Sequence, residues 1–344
     1  MKRLDRIYWI TLLLAPFVQW GLRLQALYAQ GHLGYIGIAK EAAFGTAVAA
    51  TDYFEIMSTN LTESIDRFPT RNAFGGFYEP DDYAGARRVA GNLVMFGHPV
   101  SLGLLLKAAM NTISGSAVLS GFLHTSRFIT VKSDFSNLIA GQPHTLEVHH
   151  DVTSSHQFIG AVCNRLQLSL APNQDLRVTA DWIAQAGGLI AKTSPTFPGS
   201  PTDPFTFDSA SLSIGGSATA RWEAFNLTVD NNFDGILALN ASNQIIRVRR
   251  RGPQTVRISG VLDFIDVAEY LDFKNQTERQ IQMTLTRANS FRLLIDAPRF
   301  VYTTFPTGIP GRDRLTVGVD GIARYNTTSA VAIDIGLTTT KSNY

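Results

Sequence analysis

Four of the seven histidines fall between positions 144 and 156: His144, His149, His150 and His156, with Asp151 among them. Two imidazoles and a carboxylate hold a divalent metal when they converge. The segment HTLEVHH alternates like a strand, however, and neighbouring side chains on a strand point to opposite faces. His149 and His150 therefore separate, and exposed strand and loop histidines are the simpler reading. Asp263, Asp266 and Glu269 could pair as acids, but Asp266 and Glu269 also have the spacing of a helix capping box. Cys163 is the single cysteine, so an intrachain disulfide framework or a Cys-rich metal site is ruled out. It lies in a strand pattern, as a small buried residue would. Gly215-Gly216 reads as a turn with no helix after it, and no Walker-type phosphate loop or zinc-protease helix occurs. These residues make no catalytic constellation. The expectation is a protein that is not an enzyme, with no cofactor, no metal and no small-molecule substrate.

The remaining chemistry is contact chemistry. One excursion, 66–88, carries Arg67, Arg71, Phe74, Phe77, Tyr78, Arg87 and Arg88 among Pro69, Gly75, Gly76, Pro80 and Gly85. A loop this long inside a compact domain is usually functional, and arginines interleaved with aromatics suit a protein–protein contact. A second excursion, 231–253, holds the densest charge, Arg247, Arg249, Arg250 and Arg251. On a strand Arg247, Arg249 and Arg251 would share a face. That face would meet DNA phosphate or an acidic neighbouring subunit; its position, matching the first excursion, favours the subunit.

The elements that carry these excursions occur twice. In the second half a strand (225–229) runs into the excursion, a second strand follows (256–264), and then a short helix (267–273) whose Val267, Tyr270, Leu271 and Phe273 should pack on the sheet. In the first half FEIMSTNLTE, the excursion, VAGNLVMF and the helix PVSLGLLLKAAM repeat that order. Pro99 suits the first helical position, and the shortage of polar residues predicts a largely buried helix. Asn60-Leu61-Thr62 matches Asn226-Leu227-Thr228 at an offset of 166 (226 − 60), while Gly91/Gly260 and Leu102/Leu271 match at 169 (260 − 91). Ala180-Asp181-Trp182-Ile183-Ala184 matches Val319-Asp320-Gly321-Ile322-Ala323 at 139 (319 − 180). The fall in offset places thirty additional residues (169 − 139) in the first copy. This is the signature of a tandem duplication.

Strand patterns fill the rest: FITVK, HTLEVHH and NRLQLSLAPNQDLRVTADWIA in the first half, QIQMTLTR, FRLLIDAPRFVYTTF, RLTVGVDGIARY and SAVAIDIGLTTT in the second. Residues 187–208 are rich in Gly, Pro, Ser and Thr and mark the boundary. The organisation read from the sequence is a leader at 1–30, a first domain at 31–186, a linker at 187–208 and a second domain at 209–344. The leader carries Lys2, Arg3 and Arg6 before an apolar run, and three readings stay open for it: a signal or anchor, a start upstream of the true one, or an amphipathic arm. A hydrophobic fraction of 45%, charged residues at 17% and a net charge of +2 describe a folded protein and give no dominant basic domain for nucleic acid.

From Gly34 to the end the chain resembles the major tail tube proteins of long-tailed, siphovirus-type phages. The residues that carry the resemblance are GIAKEAAFGT (Gly37, Glu41, Gly45, Thr46), Pro99-Val100-Ser101-Leu102-Gly103-Leu104-Leu105, NLTVDNN with SGVLDFIDVAEYLDF, and APRFVYTTFP. The resemblance implies a mainly β fold with short α-helices: two similar β-sandwich or half-barrel domains in tandem, each with a flanking helix. It implies a structural protein of the virion tail, assembled in the host cytoplasm into stacked rings through which DNA is ejected. Its partners would be copies of itself, as trimers of two-domain chains or as hexamers, with tape measure, tail terminator and baseplate proteins, and duplex DNA passing through the lumen without sequence-specific binding. Six domains of about four strands give a barrel of roughly 24 strands, on the order of 50 Å across. The arginine and aromatic excursions would then be inter-ring or inter-subunit contacts. Two alternatives remain at this level: a secreted or surface β-sandwich binding module of adhesin type, and another virion component such as a tail terminator or a capsid decoration protein.

Overall fold

The structure is a computed structural model. It describes residues 29–69, 81–110, 112–118, 121–127, 142–197, 203–240, 242–287, 291–308 and 314–344. The leader up to residue 28 and the expected strand FITVK (128–132) lie outside them.

The first half begins with β1 (Tyr35–Lys40), β2 (Asp52–Phe54), β3 (Ser58–Thr59), β4 (Thr62–Pro69) and β5 (Asp82–Phe96). Helix α1 (Pro99–Met110) follows, then the hairpin β6 (Thr112–Val118) and β7 (Gly121–Arg127), and β8 (His144–His149), β9 (Ser154–Leu170), β10 (Arg177–Ala184) and β11 (Ala186–Ala191). Every residue of α1 except Lys107 is buried, as its composition predicted. Leu102, Leu105, Leu106 and Met110 have no exposed surface, and each such side chain contributes about 1.5–3 kcal/mol of burial. The turn between β9 and β10 forms at Ala171-Pro172-Asn173-Gln174, with Asn173 at φ +61° and the Gln174 N–H donating to the Ala171 carbonyl.

The second half contains β12 (Ala210–Ile214), β13 (Ser217–Thr219), β14 (Trp222–Asp230), β15 (Phe233–Ile236), β16 (Arg247–Arg250) and β17 (Thr255–Asp263). Helix α2 (Ala268–Asn275), β18 (Arg279–Thr286), β19 (Arg292–Thr304), β20 (Thr316–Ala323) and β21 (Asp334–Thr339) complete it. Gly215 and Gly216, at φ +58° and +82°, make the β12–β13 turn. The chain is mainly β, with an open antiparallel network of nineteen strands among the described residues.

The pairings of the first half recur in the second, all antiparallel. β1–β2 and β1–β8 answer to β12–β13 and β12–β18. β8–β9, β9–β10 and β9–β11 answer to β18–β19, β19–β20 and β19–β21. β5–β10 answers to β17–β20, and β3 and β4 on β5 answer to β14 on β17. Even the irregularities coincide. The ladder slips between Asp181 and Trp182 opposite Arg165 and Cys163, and again between Asp320 and Gly321 opposite Thr304 and Tyr302. It slips between His144 and Leu146 opposite Ala161 and Phe158, and again between Arg279 and Ile281 opposite Phe300 and Ala297. Both bulges sit at an offset of 139 along β9 and β19 (304 − 165 and 297 − 158). A bulge is a local device that bends and twists a strand, and two in the same register bend both long strands alike.

The halves are joined by β9 pairing with β14 and by β21 pairing with β7. One apolar cluster runs through both halves, with α1 inside it. The β6–β7 hairpin has no counterpart after α2, where the chain passes from Asn275 to Arg279; it accounts for part of the extra length of the first half.

Three expectations change. Residues 187–208 are not uniformly loop: β11 reaches to Ala191 and pairs with β9, and Phe207–Ser209 form a short 3-10 turn. Helix α2 has Val267, not Asp266, at its N-cap and no capping box of Asp266 with Glu269. Asp266 instead accepts the Ala268 N–H at 2.8 Å and pairs with Arg221, which also pairs with Glu269. Finally, Tyr270 and Phe273 pack on the core, but Val267 and Leu271 remain 55% and 46% exposed.

Candidate assembly surfaces

The described part of the first excursion, 66–69 and 81–88, belongs to a two-stranded arm. β4 and β5 pair from Thr62 opposite Ala90 to Pro69 opposite Asp82. Opposite charges face one another along it: Arg87 lies 3.8 Å from Glu63, Arg88 3.6 Å from Asp66 and Arg67 3.0 Å from Asp82. Phe68 and Tyr83 meet with ring centroids 5.6 Å apart. Exposed ion pairs contribute at most about 1 kcal/mol each, so the backbone ladder holds the arm together. Its outer surface keeps exposed Ile65, Phe68 and Tyr83 beside the arginines, a composition enriched at protein contacts. Arg71, Phe74, Phe77 and Tyr78, expected on the same arm, lie outside the described residues.

The second excursion folds back rather than reaching out. β15 and β16 pair with each other, and Phe233, Ile245 and Val248 bury themselves against Val162, with Phe44 and Ile183 alongside. The Arg87 N–H donates to the Asn243 carbonyl at 2.7 Å, tying the base of the arm to this lobe. Arg250 lays its guanidinium 5.1 Å over the Phe233 ring and donates to the Asn231 carbonyl at 3.2 Å; burial lowers its pKa. Arg247 and Arg249 are half-buried and Arg251 is exposed. Because β16 ends at Arg250, Arg251 leaves the strand and the expected shared face of Arg247, Arg249 and Arg251 is cut short. The apolar positions Ile245 and Val248 were the sequence signal for this folded-back lobe, which the charge run masked.

Among the described residues, no strand pairs with the outer side of β3 and β4. The Asn60 N–H turns inward to the Asn92 carbonyl at 3.2 Å. By the alternation of an antiparallel ladder, Glu63 then directs its N–H and C=O groups outward, while the Leu61 N–H donates to the Thr59 hydroxyl at 3.2 Å. Beside this edge is a groove of about 570 Å³ lined by Leu61, Glu63, His156, Phe158 and Leu189, among others.

The histidines do not converge on a metal. His149 is buried, with Nδ1 3.1 Å from the Ser155 hydroxyl and its ring stacked on Tyr35 at 4.7 Å. His150 is exposed and meets His156 edge-on at 5.1 Å. Cys163 is buried and its thiol pKa is raised, first by burial and then by the Asp181 charge.

His144 is buried with Nδ1 donating to the Gln142 carbonyl at 2.9 Å. Burial pushes its pKa down to about 4 from an ordinary value of 6.5; Lys107 and Lys40 push the same way, and the Gln142 carbonyl opposes them. The folded chain thus refuses a proton that the unfolded chain accepts. The stability contribution is complete above pH 6.5 and is lost as pH falls toward 4, at about 1.4 kcal/mol per pH unit. The difference in unfolding free energy between the parent and His144→Gln should shift by roughly 3 kcal/mol between pH 7 and pH 4. Urea titrations at a series of pH values measure it, and parallel pH profiles would contradict it.

The described residues thus present an arm bearing arginines and aromatics, an open strand edge and a groove beside it, on two halves of matching topology. No curated protein matches the chain closely enough to count as a relative. A family model described as phage tail tube protein matches residues 31–339, spanning both halves and ending at the last residue of β21, and the chain belongs to that family, the structural proteins of the phage tail tube.

Proposed function

We propose that three copies of this chain close a ring, each copy supplying two tail tube domains (31–186 and 209–344, joined through 187–208), and that the rings stack into the conduit of a siphovirus-type tail. Family membership makes the chain a structural component of the virion tail that self-assembles into a tube with other tail proteins. The observation that carries the three-chain reading is the recurrence of the strand pairings with both bulges in the same register.

The join between halves supplies the rule for closing the ring. Inside one chain β9 pairs with β14, with Leu168 opposite Leu227 and Leu166 opposite Val229. The counterparts are β19 at an offset of 139 and β3–β4 at 166, the offset that the ladders themselves give (225 − 59, through Thr59↔Leu93 and Phe225↔Gly260). The same join between chains sets Thr307 opposite Leu61 and Phe305 opposite Glu63 of the next copy. Pro306 favours this use of the segment. The Asn231 N–H bonds the Asn164 carbonyl, so even positions of β9 face β14 and odd positions face β10. Pro306 is the counterpart of Gln167 (167 + 139) and would face β20, where its missing N–H ends the ladder; that ladder does end at Thr304 opposite Asp320. Phe305 and Thr307 keep their N–H groups for the open edge. A turn of one sixth per half closes the ring after three chains.

The excursion with Arg67, Arg71, Phe74, Phe77, Tyr78, Arg87 and Arg88 is the contact to the neighbouring ring, and the lobe with Arg247, Arg249, Arg250 and Arg251, tied to Arg87 through Asn243, is a contact between subunits. Tape measure, terminator and baseplate proteins meet the tube inside and at its ends, assembly takes place in the host cytoplasm, and duplex DNA passes through without sequence readout. Electron microscopy of the purified chain at high concentration tests the reading. Hollow tubes whose averaged rings have three-fold symmetry, with six similar lobes, are the expected result. Rings of six whole chains, or a monomer at every concentration, would overturn it.

A further inference from the structure

Leu102 of α1 and Leu271 of α2 hold matching places in the two halves: the helices start at Pro99 and Ala268, an offset of 169 (268 − 99), and so do these leucines (271 − 102). Leu102 is fully buried, whereas Leu271 is 46% exposed, next to Ile265 at 66% and Val267 at 55%. The two helices are not covered to the same extent, and the difference is what lies over α1.

Helix α1 belongs to the first half but is covered in part by the second. It packs against β21 as well as β9 and the β6–β7 hairpin. The Asn231 side chain, one residue past β14, donates to the Ala109 carbonyl at 2.8 Å. A Cβ at Gly103 would lie 2.2 Å from the Tyr344 ring, so the C-terminal residue is pressed onto the helix backbone. The second half thus offers a seat bounded by β14 and β21, and the helix of the preceding half occupies it. Leu227, Ala297 and Ile335, from the three strands of that seat, are fully buried in the same cluster as α1.

The first half has the corresponding place, and it is open. The counterparts of Leu227, Ala297 and Ile335 are Leu61, Phe158 and Leu189. Their offsets are 166 (227 − 61), 139 (297 − 158) and 146 (335 − 189), the last fixed by Gly188 facing Gln157 as Asp334 faces Asp296. All three line the groove of about 570 Å³ beside the free edge of β3 and β4, and Leu189 is 68% exposed.

We infer that α2 of one chain seats in this groove on the first half of the next chain, placing Val267 and Leu271 against Leu61 and Leu189. The occupant is a second copy of this chain, because the molecule already makes the equivalent contact once within itself and the two vacant surfaces are its remaining half-partners. The inference rests on the ring proposed above and is continuous with its strand join. Tyr270 and Phe273 of α2 pack on Phe305 at centroid distances of 5.9 and 6.3 Å, and Phe305 is the residue that the join sets opposite Glu63, itself a lining residue of the groove. Helix seating and strand pairing therefore form one contact. In the groove Leu61 and Phe158 form a floor only 7% and 3% exposed, Leu189 is the exposed apolar side chain, and Glu63, His150 and His156 are among the other lining residues. Seating α2 there covers Leu189 together with Val267 and Leu271, apolar surface that a lone copy would present to water.

The test places single cysteines at the two surfaces. The full chain carrying Leu189→Cys and Leu271→Cys is assembled and treated with a short bis-maleimide; the native Cys163 is buried and stays unreactive. Covalent dimers and trimers on a denaturing gel, absent from either single-cysteine chain, are the expected result. Rings of normal appearance without cross-links would overturn the helix seating while leaving the ring intact; failure of the unsubstituted chain to form rings would overturn both. Leu271→Glu gives an independent reading. With that side chain half exposed, the lone chain should melt as the parent does, while the assembled fraction at equal concentration drops by about tenfold or more, because a carboxylate would be buried unpaired. Assembly at parental yield would also overturn the seating.

Discussion

Glu41→Ala lowers the unfolding free energy by about 4 kcal/mol. Glu41 is 2% exposed. One carboxylate oxygen accepts the Thr145 hydroxyl and the Gly160 N–H, each at 2.8 Å, and the other accepts the Gly45 N–H at 2.8 Å. Hydrogen bonds to an ionised acceptor are the stronger kind, and removing the acceptor orphans two buried donors, at about 1–3 kcal/mol each, and the half-buried Gly45 N–H. The bond to Gly160 matters most for architecture. Gly160, at φ +63°, lies in the bulge where β9 stops pairing with β8 and β11 and starts pairing with β10 and β14. A Cβ there would come within 3.0 Å of the Phe44 ring and of Gln185. Glu41 thus fixes the bend that lets one seventeen-residue strand serve two groups of neighbours and join the halves. Glu41→Gln retains one acceptor oxygen and turns an amide donor toward existing donors, for a loss of about 2 kcal/mol. Urea unfolding of the three chains at pH 7 gives both numbers, and a loss below about 1 kcal/mol for the alanine chain would show that the bend is held by other contacts.

The segment GIAKEAAFGT showed what a sequence can and cannot disclose. Strand β1 ends there at Lys40, and the chain turns at Gly45, which sits at φ +76°. The role of Glu41 was not legible, since two of its three donors, Thr145 and Gly160, lie more than a hundred positions away. Helix α1 was legible because an apolar composition and an N-terminal proline act locally. The repeat offsets were legible where the residues pair in the ladders: 166 for Asn60-Leu61-Thr62 holds in the register of β4 and β14. The Gly91–Gly260 match does not. Asn92 faces Asp181 and Ser259 faces Asp320, so β5 and β17 correspond at 167 (259 − 92), and the counterpart of Gly91 is Ile258. The helices return to 169 because the connection before α2 is two residues longer. Each glycine has a reason of its own: a Cβ at Gly91 would lie 2.5 Å from the Leu61 Cα, and one at Gly260 would lie 2.2 Å from the Ala224 carbonyl oxygen. Val267 and Leu271 were misread as core because an apolar face looks the same in sequence whether its cover is the same chain or another. The shared face expected of Arg247, Arg249 and Arg251 is cut short because the strand ends at Arg250, and the stacking of Arg250 on Phe233 has no local signature.

Glu63→Pro should abolish ring closure while leaving the lone chain folded. A proline within a paired strand removes a ladder hydrogen bond and is tolerated chiefly where the N–H points away from the neighbour. Glu63 meets that condition. It lies opposite Val89 in the same register as Thr59 opposite Leu93, and the inward N–H of Asn60 places the next inward one at Thr62 and the outward one at Glu63. What the substitution removes inside the chain is a half-buried pairing at long range, the 3.8 Å approach to Arg87, at a cost of about 1 kcal/mol. Thr62, preceding the proline, is already in a strand, the conformation that position requires. Between chains the loss is larger. The outward N–H of Glu63 is a donor to the Phe305 segment of the next copy in the proposed join, and the ring repeats that join three times. Losing a buried hydrogen bond and leaving a carbonyl unpaired at each costs about 1–3 kcal/mol per join. The matched control is Thr62→Pro, which removes an inward N–H and should lower the melting temperature of the lone chain. Thermal unfolding and electron microscopy of both variants separate the two effects. Glu63→Pro chains that melt like the parent and form no rings make β3–β4 the closing edge, whereas normal rings from the same chains would remove this edge from the ring and require a different strand to close it.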